Sequence, residues 1–264
     1  MLWNEIASDE VGRMPREKTV VLFPIGSLEI HGIHLPLGTD GLVIEKVAQL
    51  AAEKEPPSLV LPTLDYAYAN ENAHFPGGIS LSAKTLISVV EEVCDEVSRN
   101  GFRKIILLNG HGGNNHILRA IQRDLLRKTR NYITYLYLEP WSPIEDDIKE
   151  LAKGATIEHA CEIQTSIALY LIGHLVKLNK VKSEAKTGAP GFPDYVKTTV
   201  SWQRYCIEGY LGDPRRATID KGKQLSDKWV GEVASLIKAV RDDQVSLQVL
   251  DDYYRRSNWQ SREE

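Results

Sequence analysis

The sequence predicts a single α/β domain across residues 1–264, doubly wound, with a mostly parallel central sheet flanked by helices. Three observations carry this prediction. Short, continuous apolar runs alternate with longer stretches of helical periodicity, the pattern of successive βα units. The runs lack the in–out alternation of a half-exposed strand, as expected where helices cover both faces of a sheet. No internal repeat, Pro- or Ser-rich linker or low-complexity tract divides the chain.

Taken in order, "TVVLFPIG" (19–26) predicts a buried strand. The stretch from Thr39 to Lys54 predicts a helix with Leu42, Val43, Val47, Leu50 and Ala51 facing inward and Asp40 capping free N–H groups at its start. "SLVLPTLDY" (58–66) reads as a second strand. A helix follows over 82–101, with Ser82 as N-cap, Gly101 as its stop, and Leu86, Val89, Val90, Val93 and Val97 as the inward stripe. "KIILLNG" (104–110) is a third strand, and Ile117, Leu118, Ile121, Leu125 and Leu126 mark the helix after it. "NYITYLYLEP" (131–140) predicts a strand and "EIQTSIALYLIGHL" (162–175) a helix. Residues 177–222, rich in Lys, Gly and Pro, read as loops, a last helix runs from Lys223 to Val240, and 255–264 reads as a frayed tail.

Composition narrows the classes. A hydrophobic content of 42% and a charged content of 26% are ordinary for a globular protein. A net charge of −4 counts against a general nucleic-acid binder. Cys94, Cys161 and Cys206 are scattered without a CxxC pair, which predicts a reducing, cytoplasmic setting. The N-terminal "MLWNEIASDEVGRM" lacks the apolar stretch of a signal peptide, and no segment reaches the ~20 apolar residues that span a bilayer, so no membrane partner is expected.

Against this background some polar residues do not fit. "PIGSLEIHGIHLPLGTD" (24–40) places Glu29, His31, His34 and Asp40 in strongly apolar company, where each is costly to bury unless paired or metal-bound. Glu29 and His31, two residues apart, project to one side of an extended segment about 7 Å apart. Carboxylates and an imidazole suit Zn, Mn or Fe; the plain alternative is a solvated loop with Asp40 as a cap. "LLNGHGGNNH" (107–116) follows a buried strand with a glycine-rich turn but matches no phosphate-binding fingerprint and has no lysine. His111 suits a metal, Asn109, Asn114 and Asn115 can cap or hold the turn, and His116 reads as a surface or capping residue. In "IEHACEIQTS" (157–166), His159 and Glu162 stand three apart and would share a face at a helix start, or be an exposed histidine and a dipole-favoured glutamate. His174 reads as structural, near a helix end.

Together, "GSLEIHGIHLPLGTD", "HFPGGISLS", "LNGHGGNNH", "EHACEIQTS" and "GYLGDPRRAT" resemble the creatininase (creatinine amidohydrolase) family over most of the chain. The resemblance implies a single α/β domain, a homo-oligomer (often a hexamer) and two divalent metal ions, zinc first, with manganese or iron as alternatives. It further implies Glu29, Asp40 and His111 on one ion, and His31, a bridging Asp40 and Glu162 on the other. Creatininase proper carries a tyrosine and a glutamate where this chain has Gly112 and Gly113, a departure at the substrate side; Cys161 and Gln164 stand where relatives commonly have Gly and Glu.

The expected chemistry is hydrolysis of a cyclic-amide or formamide C–N bond in a small molecule, two metals activating water. His159, with Glu162 beside it, is the expected proton carrier at the leaving nitrogen. His34 and Asn114 are expected to orient ligands from behind, and His74, Gly77 and Gly78 to line the substrate pocket. Deformylation of a formylaminopyrimidine nucleotide and peptide trimming are the alternatives within the family; a non-catalytic metal- or nucleotide-binding protein on the same scaffold is the alternative outside it.

Overall fold

The apolar runs of the sequence become the strands β1 (Val20–Ile25), β2 (Ser58–Val60), β3 (Lys104–Asn109) and β4 (Ile133–Tyr137) of one parallel sheet, in the order β2-β1-β3-β4. The structure is a computed structural model that describes residues 1–189, 191–193 and 195–257. Register is set by Val20, which pairs with Ser58 on one side and Lys104 on the other, and by Lys104 opposite Ile133.

Helices α1 (Ser8–Arg13), α2 (Thr39–Lys54), α3 (Ala83–Arg99), α4 (Asn115–Asp124), α5 (Glu145–Ala152), α6 (Glu162–Ile172), α7 (Ser201–Tyr205), α8 (Ile219–Asp242) and α9 (Ser246–Ser257) surround it. Alternate residues of β1 feed two cores. Val20 and Leu22 pack with Val60, Ile106 and Leu108 beneath α2, α6 and α8. Val21, Phe23 and Ile25 pack with Leu59, Ile105 and Leu107 beneath α3 and α4. The predicted doubly wound sheet is what forms.

From β1 the chain passes through α2 to β2 on one side, and from β3 it passes through α4 to β4 on the other. Outgoing connections of β1 and β3 thus diverge, and the crevice at their carboxyl ends is the place where such sheets bind ligands.

Several boundaries differ from the sequence prediction. β2 ends at Val60, two residues before Pro62, which has no N–H to give a ladder; beyond it the Leu61 N–H donates to the Leu22 carbonyl and an isolated bridge joins Leu64 to Ile25. In α2 the inward face is Val43, Ile44, Val47, Ala48, Ala51 and Ala52. Leu42 and Leu50 turn outward, 36% and 38% exposed. The cap of α2 is Gly38, not Asp40, whose carboxylate is used elsewhere. On α3, Ser82 caps as expected by accepting from the Thr85 N–H, while the fully buried stripe is Leu86, Val90, Cys94 and Val97, with Val89 and Val93 half-buried. The last predicted helix starts earlier, at Ile219, because Thr218 accepts from the Lys221 N–H. Helices α5 and α7 were not expected. Nor was α9, which takes Arg255–Ser257 of the expected tail into a helix; 258–264 lie outside the described residues. No helix among the described residues is long and apolar enough to cross a membrane, and all three cysteines are free and buried.

Candidate metal centre

Two loops build the centre from opposite sides of the switch in strand order. After β1 the chain runs against the start of α2 so closely that a Cβ on Gly26 would lie 2.4 Å from the Gly41 Cα. Glycine at both positions lets backbone meet backbone, which delivers Glu29, His31 and Asp40 to one place. After β3, the side chain of Asn109 donates to the carbonyls of His111 and Leu138, and Asn114 donates to the Gly26 carbonyl. Asn114 also accepts from the Tyr68 N–H, and Asn109 donates to Asn115. The asparagines therefore hold the turn rather than cap a helix, and His111 is presented rigidly to the β1 loop.

Four of the expected ligands converge. Asp40 Oδ1 lies 3.0 Å from His31 Nε2, and Asp40 Oδ2 lies 2.9 Å from His111 Nδ1. Glu29 Oε1 lies 3.0 Å from the same His111 nitrogen. All four side chains are buried. The other ring nitrogens face backbone carbonyls: His31 Nδ1 is 3.3 Å from the Glu29 carbonyl and His111 Nε2 is 3.1 Å from that of Tyr68. In the neutral ring, an N–H donated to a carbonyl leaves the lone pair on the opposite nitrogen, the form in which histidines bind metal. His159 repeats this, Nε2 at 2.6 Å from the Ile30 carbonyl and Nδ1 at 3.8 Å from Glu29 Oε1.

The electrostatics follow from this crowding. Burial pushes the His111 imidazole down, but Glu29 and Asp40 outweigh it and hold it well above its ordinary value. His31 is raised in the same way, mainly by Asp40. Burial acts against the Asp40 carboxyl, yet His31 and His111 keep it well below its usual range. Glu29 is lowered by His111 and then His159, again against burial. Burial, with the charge on His31, pushes His159 down to about 4 and His34 likewise to about 4. Burial raises Glu71.

These residues fit a divalent cation. Glu29 Oε1 is buried and makes no hydrogen bond, with the His111 and His159 nitrogens near it at 3.0 and 3.8 Å, an arrangement that is costly without a cation. Two three-ligand groups share that residue, Glu29 with His31 and His159, and Glu29 with Glu71 and His111. Asp40, with one oxygen toward each imidazole, sits between them.

Glu162 is not brought to this centre. The expectation that it shares a face with His159 needs both on one helix, but α6 begins at Glu162 and the chain turns at Ala160, φ +50°. Glu162 instead faces Lys221 and Arg216 Nε, the latter at 3.2 Å. Two residues further, on the opposite face of the helix, Gln164 Nε2 donates to Asp40 Oδ1 at 2.9 Å and lies 3.1 Å from His31 Nε2. His34 touches no ligand; its Nε2 meets Thr165 Oγ1 at 2.9 Å, tying the β1 loop to α6. His74, Gly77 and Gly78 are exposed, His74 stacked on Phe75, and His116 and His174 are exposed as well.

The segment that was expected to line the pocket does so a few residues earlier. A cavity of about 760 Å³ opens above the centre, lined by Glu71 and Asn72 together with Trp141, Glu158, His159 and Trp202. Asn72 donates to Glu29 Oε2, and Trp202 Nε1 donates to Asn72 Oδ1 at 2.7 Å. The Trp202 ring stands edge-on to His159, centroids 5.6 Å apart. Glu71, Asn72 and Trp202 were missed from sequence, and Gln164 was noted only as a departure from relatives.

Comparison with known proteins agrees with this architecture. The creatinine amidohydrolase of Pseudomonas putida is 29% identical over 255 residues, covering 90% of this chain and 94% of that protein. The mycofactocin precursor peptide peptidase of Mycobacterium ulcerans (strain Agy99) is 26% identical over 243 residues, covering 89% and 90% respectively. A solved structure described as "Creatininase Mn" superposes with a TM-score of 0.81 at 27% identity, covering 92% of this chain and 99% of that one. The family model for creatininase, described as creatinine amidohydrolase, matches residues 4–237, and the chain belongs to that family.

Proposed function

We propose that the protein is a metal-dependent amidohydrolase that cleaves a cyclic-amide or formamide-type C–N bond in a small neutral or cationic molecule. One observation carries this reading: His31 and His111 turn their inward nitrogens onto the two oxygens of Asp40 beside the buried Glu29 carboxylate, and Glu29, Asp40 and His111 line a cavity. Two divalent ions, zinc or manganese, would be held by Glu29, Asp40 and His111 and by His31 and Asp40. Such ions supply Lewis acidity toward a carbonyl oxygen and toward water.

The chain's own groups then do the proton work. His159, pushed down to about 4 and pinned through Nε2 to Ile30, is neutral at pH 7 with Nδ1 free to accept a proton. The same nitrogen can return that proton to the leaving nitrogen of the amide. Trp202 and Asn72 fix the outer edge of the ring and of Glu29, and Trp141 offers an apolar wall.

The charge of the cavity selects among substrates. Glu71, Glu139, Glu145 and Glu158 line it, and among the described lining residues the one cation is Lys149, already paired with Glu145 at 2.7 Å. A phosphate would meet repulsion there, which disfavours the nucleotide deformylase alternative. Peptide trimming stays as the second reading, because about 760 Å³ exceeds what a small cyclic amide fills and a peptidase is among the relatives. A homo-oligomer in a reducing cytoplasm belongs to the same proposal.

The test joins metal analysis to a release assay across lactams, formamides, short peptides and a formylated nucleotide. Expected are at least one tightly bound transition metal per chain, turnover abolished by His111→Ala, and turnover nearly intact in His174→Ala. Protein without stoichiometric metal, unchanged by Asp40→Ala, would defeat the enzyme reading; metal without turnover of any class would favour the non-catalytic binder.

A further inference from the structure

Glu71 belongs to none of the loops in which ligands were expected. It sits in a single 3-10 turn, Asn70–Asn72, half-buried at the cavity wall. We propose that Glu71 is a carboxylate ligand of the ion held by Glu29 and His111, supplied from this turn into space left open by Gly113. The inference rests on the metal reading above.

Three observations support it. Ligand atoms of Glu29, Glu71 and His111 lie within 4.8 Å of one another, the spread that one cation can bridge. Glu29 also carries the buried oxygen Oε1, to which no hydrogen bond is made although His111 Nδ1 lies 3.0 Å away, so its carboxylate can still take a cation. A Cβ built on Gly113 would stand 2.8 Å from Glu71 Oε1 and 2.3 Å from His111 Nε2. No larger residue fits at 113 while Glu71 holds this position, so glycine there and glutamate at 71 form one steric unit.

The turn is also built to hold its position. Asn72 donates to Glu29 Oε2 and accepts from Trp202, and Gln203 Nε2 donates to the Glu71 carbonyl at 2.7 Å. Among the described residues no side chain donates a hydrogen bond to the Glu71 carboxylate itself. The Glu71 carboxylate meets its own backbone N–H, so a turn clamped on both sides leaves it without a side-chain donor and able to take a cation.

The experiment measures metal affinity without reference to turnover. Chelator-stripped wild type, Glu71→Gln, Glu71→Ala and Glu139→Gln are titrated with Mn²⁺ and with Zn²⁺ against a competing fluorescent chelator, and circular dichroism checks each metal-free fold. Gln keeps an oxygen donor but loses the charge; Ala loses both. The expected order is wild type, then Glu71→Gln, then Glu71→Ala, with affinity for one equivalent falling about tenfold or more, a ligand-scale loss. Glu139→Gln removes the same charge from the same cavity but lies outside the cluster, and should bind as wild type. Equal affinity in both Glu71 variants, or an equal loss in Glu139→Gln, would overturn the assignment while leaving the metal reading intact. Failure of the wild type to bind either ion would instead defeat the metal reading itself.

Discussion

Gln164 puts a neutral amide where a carboxylate would face Asp40 Oδ1, 2.9 Å from its Nε2, while its own Oε1 accepts the Ala160 N–H. Gln164→Glu keeps that second bond and sets a charge against Asp40. Without metal the two carboxylates repel, so the metal-free Tm should fall by a few degrees. With metal the added charge is attractive, and the affinity on the His31 side should rise about tenfold, roughly 1.4 kcal/mol; competition titration reads the second effect and a thermal melt in chelator the first. An unchanged affinity would show that Gln164 does not face the ion. Glu29, His31 and Asp40 were legible because each is an expensive polar group in an apolar run, and His111 because it ends a buried strand in a glycine-rich turn. The choice between Glu162 and Gln164 was not, since it depends on where α6 begins, and a left-handed Ala160 leaves no trace in the sequence pattern. Glu71 was hidden for another reason: its partners are brought to it by tertiary folding alone.

The element that the sequence concealed most fully is α9, and one residue anchors it. Asp243 Oδ1 accepts from the N–H groups of Val245 and Ser246, and Oδ2 accepts from the Tyr135 hydroxyl on β4 at 2.7 Å. Periodicity alone could not reveal this helix, because among its described residues Leu250 is the one buried side chain. The same weakness misplaced the face of α2: Leu42 and Leu50 look like core by composition, whereas Ile44 and Ala48 join Val47 and Ala51 as its fully buried residues. Asp243→Ala should cost about 1–2 kcal/mol at pH 7, the usual loss for a capping acceptor, measured by urea unfolding. Hydrogen bonds from Ser246 first, then its backbone and Tyr135, hold the Asp243 carboxyl below its ordinary range against some burial. A carboxyl depressed on folding stabilises fully above its unfolded pKa of about 3.9 and loses that contribution as pH falls further. The gap between wild type and Asp243→Ala should therefore be constant from pH 7 to 5 and narrow toward pH 3. A gap that widens on acidification would remove Asp243 from this role.

At the scale of the molecule, the switch in strand order between β1 and β3 is what makes the centre possible. It opens one crevice into which two loops far apart in the chain deliver acidic and imidazole groups, with α2 starting at its edge. That arrangement is the part of the site readable from fold class, since alternating βα units already fix where ligands bind. On the proposed metal reading, stability should depend on the ion. Glu29, His31, Asp40 and His111 are buried together, and a divalent ion binding the folded chain alone stabilises it by about 4 kcal/mol at a thousandfold excess over Kd. For a chain of this size each kcal/mol moves Tm by roughly 2–4 °C, so chelation should lower Tm by roughly 8–16 °C and added Mn²⁺ or Zn²⁺ should restore it. Asp40→Asn removes the charge and one of the two oxygens that face the two imidazoles, so its Tm should be the same with and without chelator. If the variant instead shows the full wild-type shift, the ion that stabilises the fold lies elsewhere, and Asp40 is no more than a hydrogen-bond partner of His31 and His111.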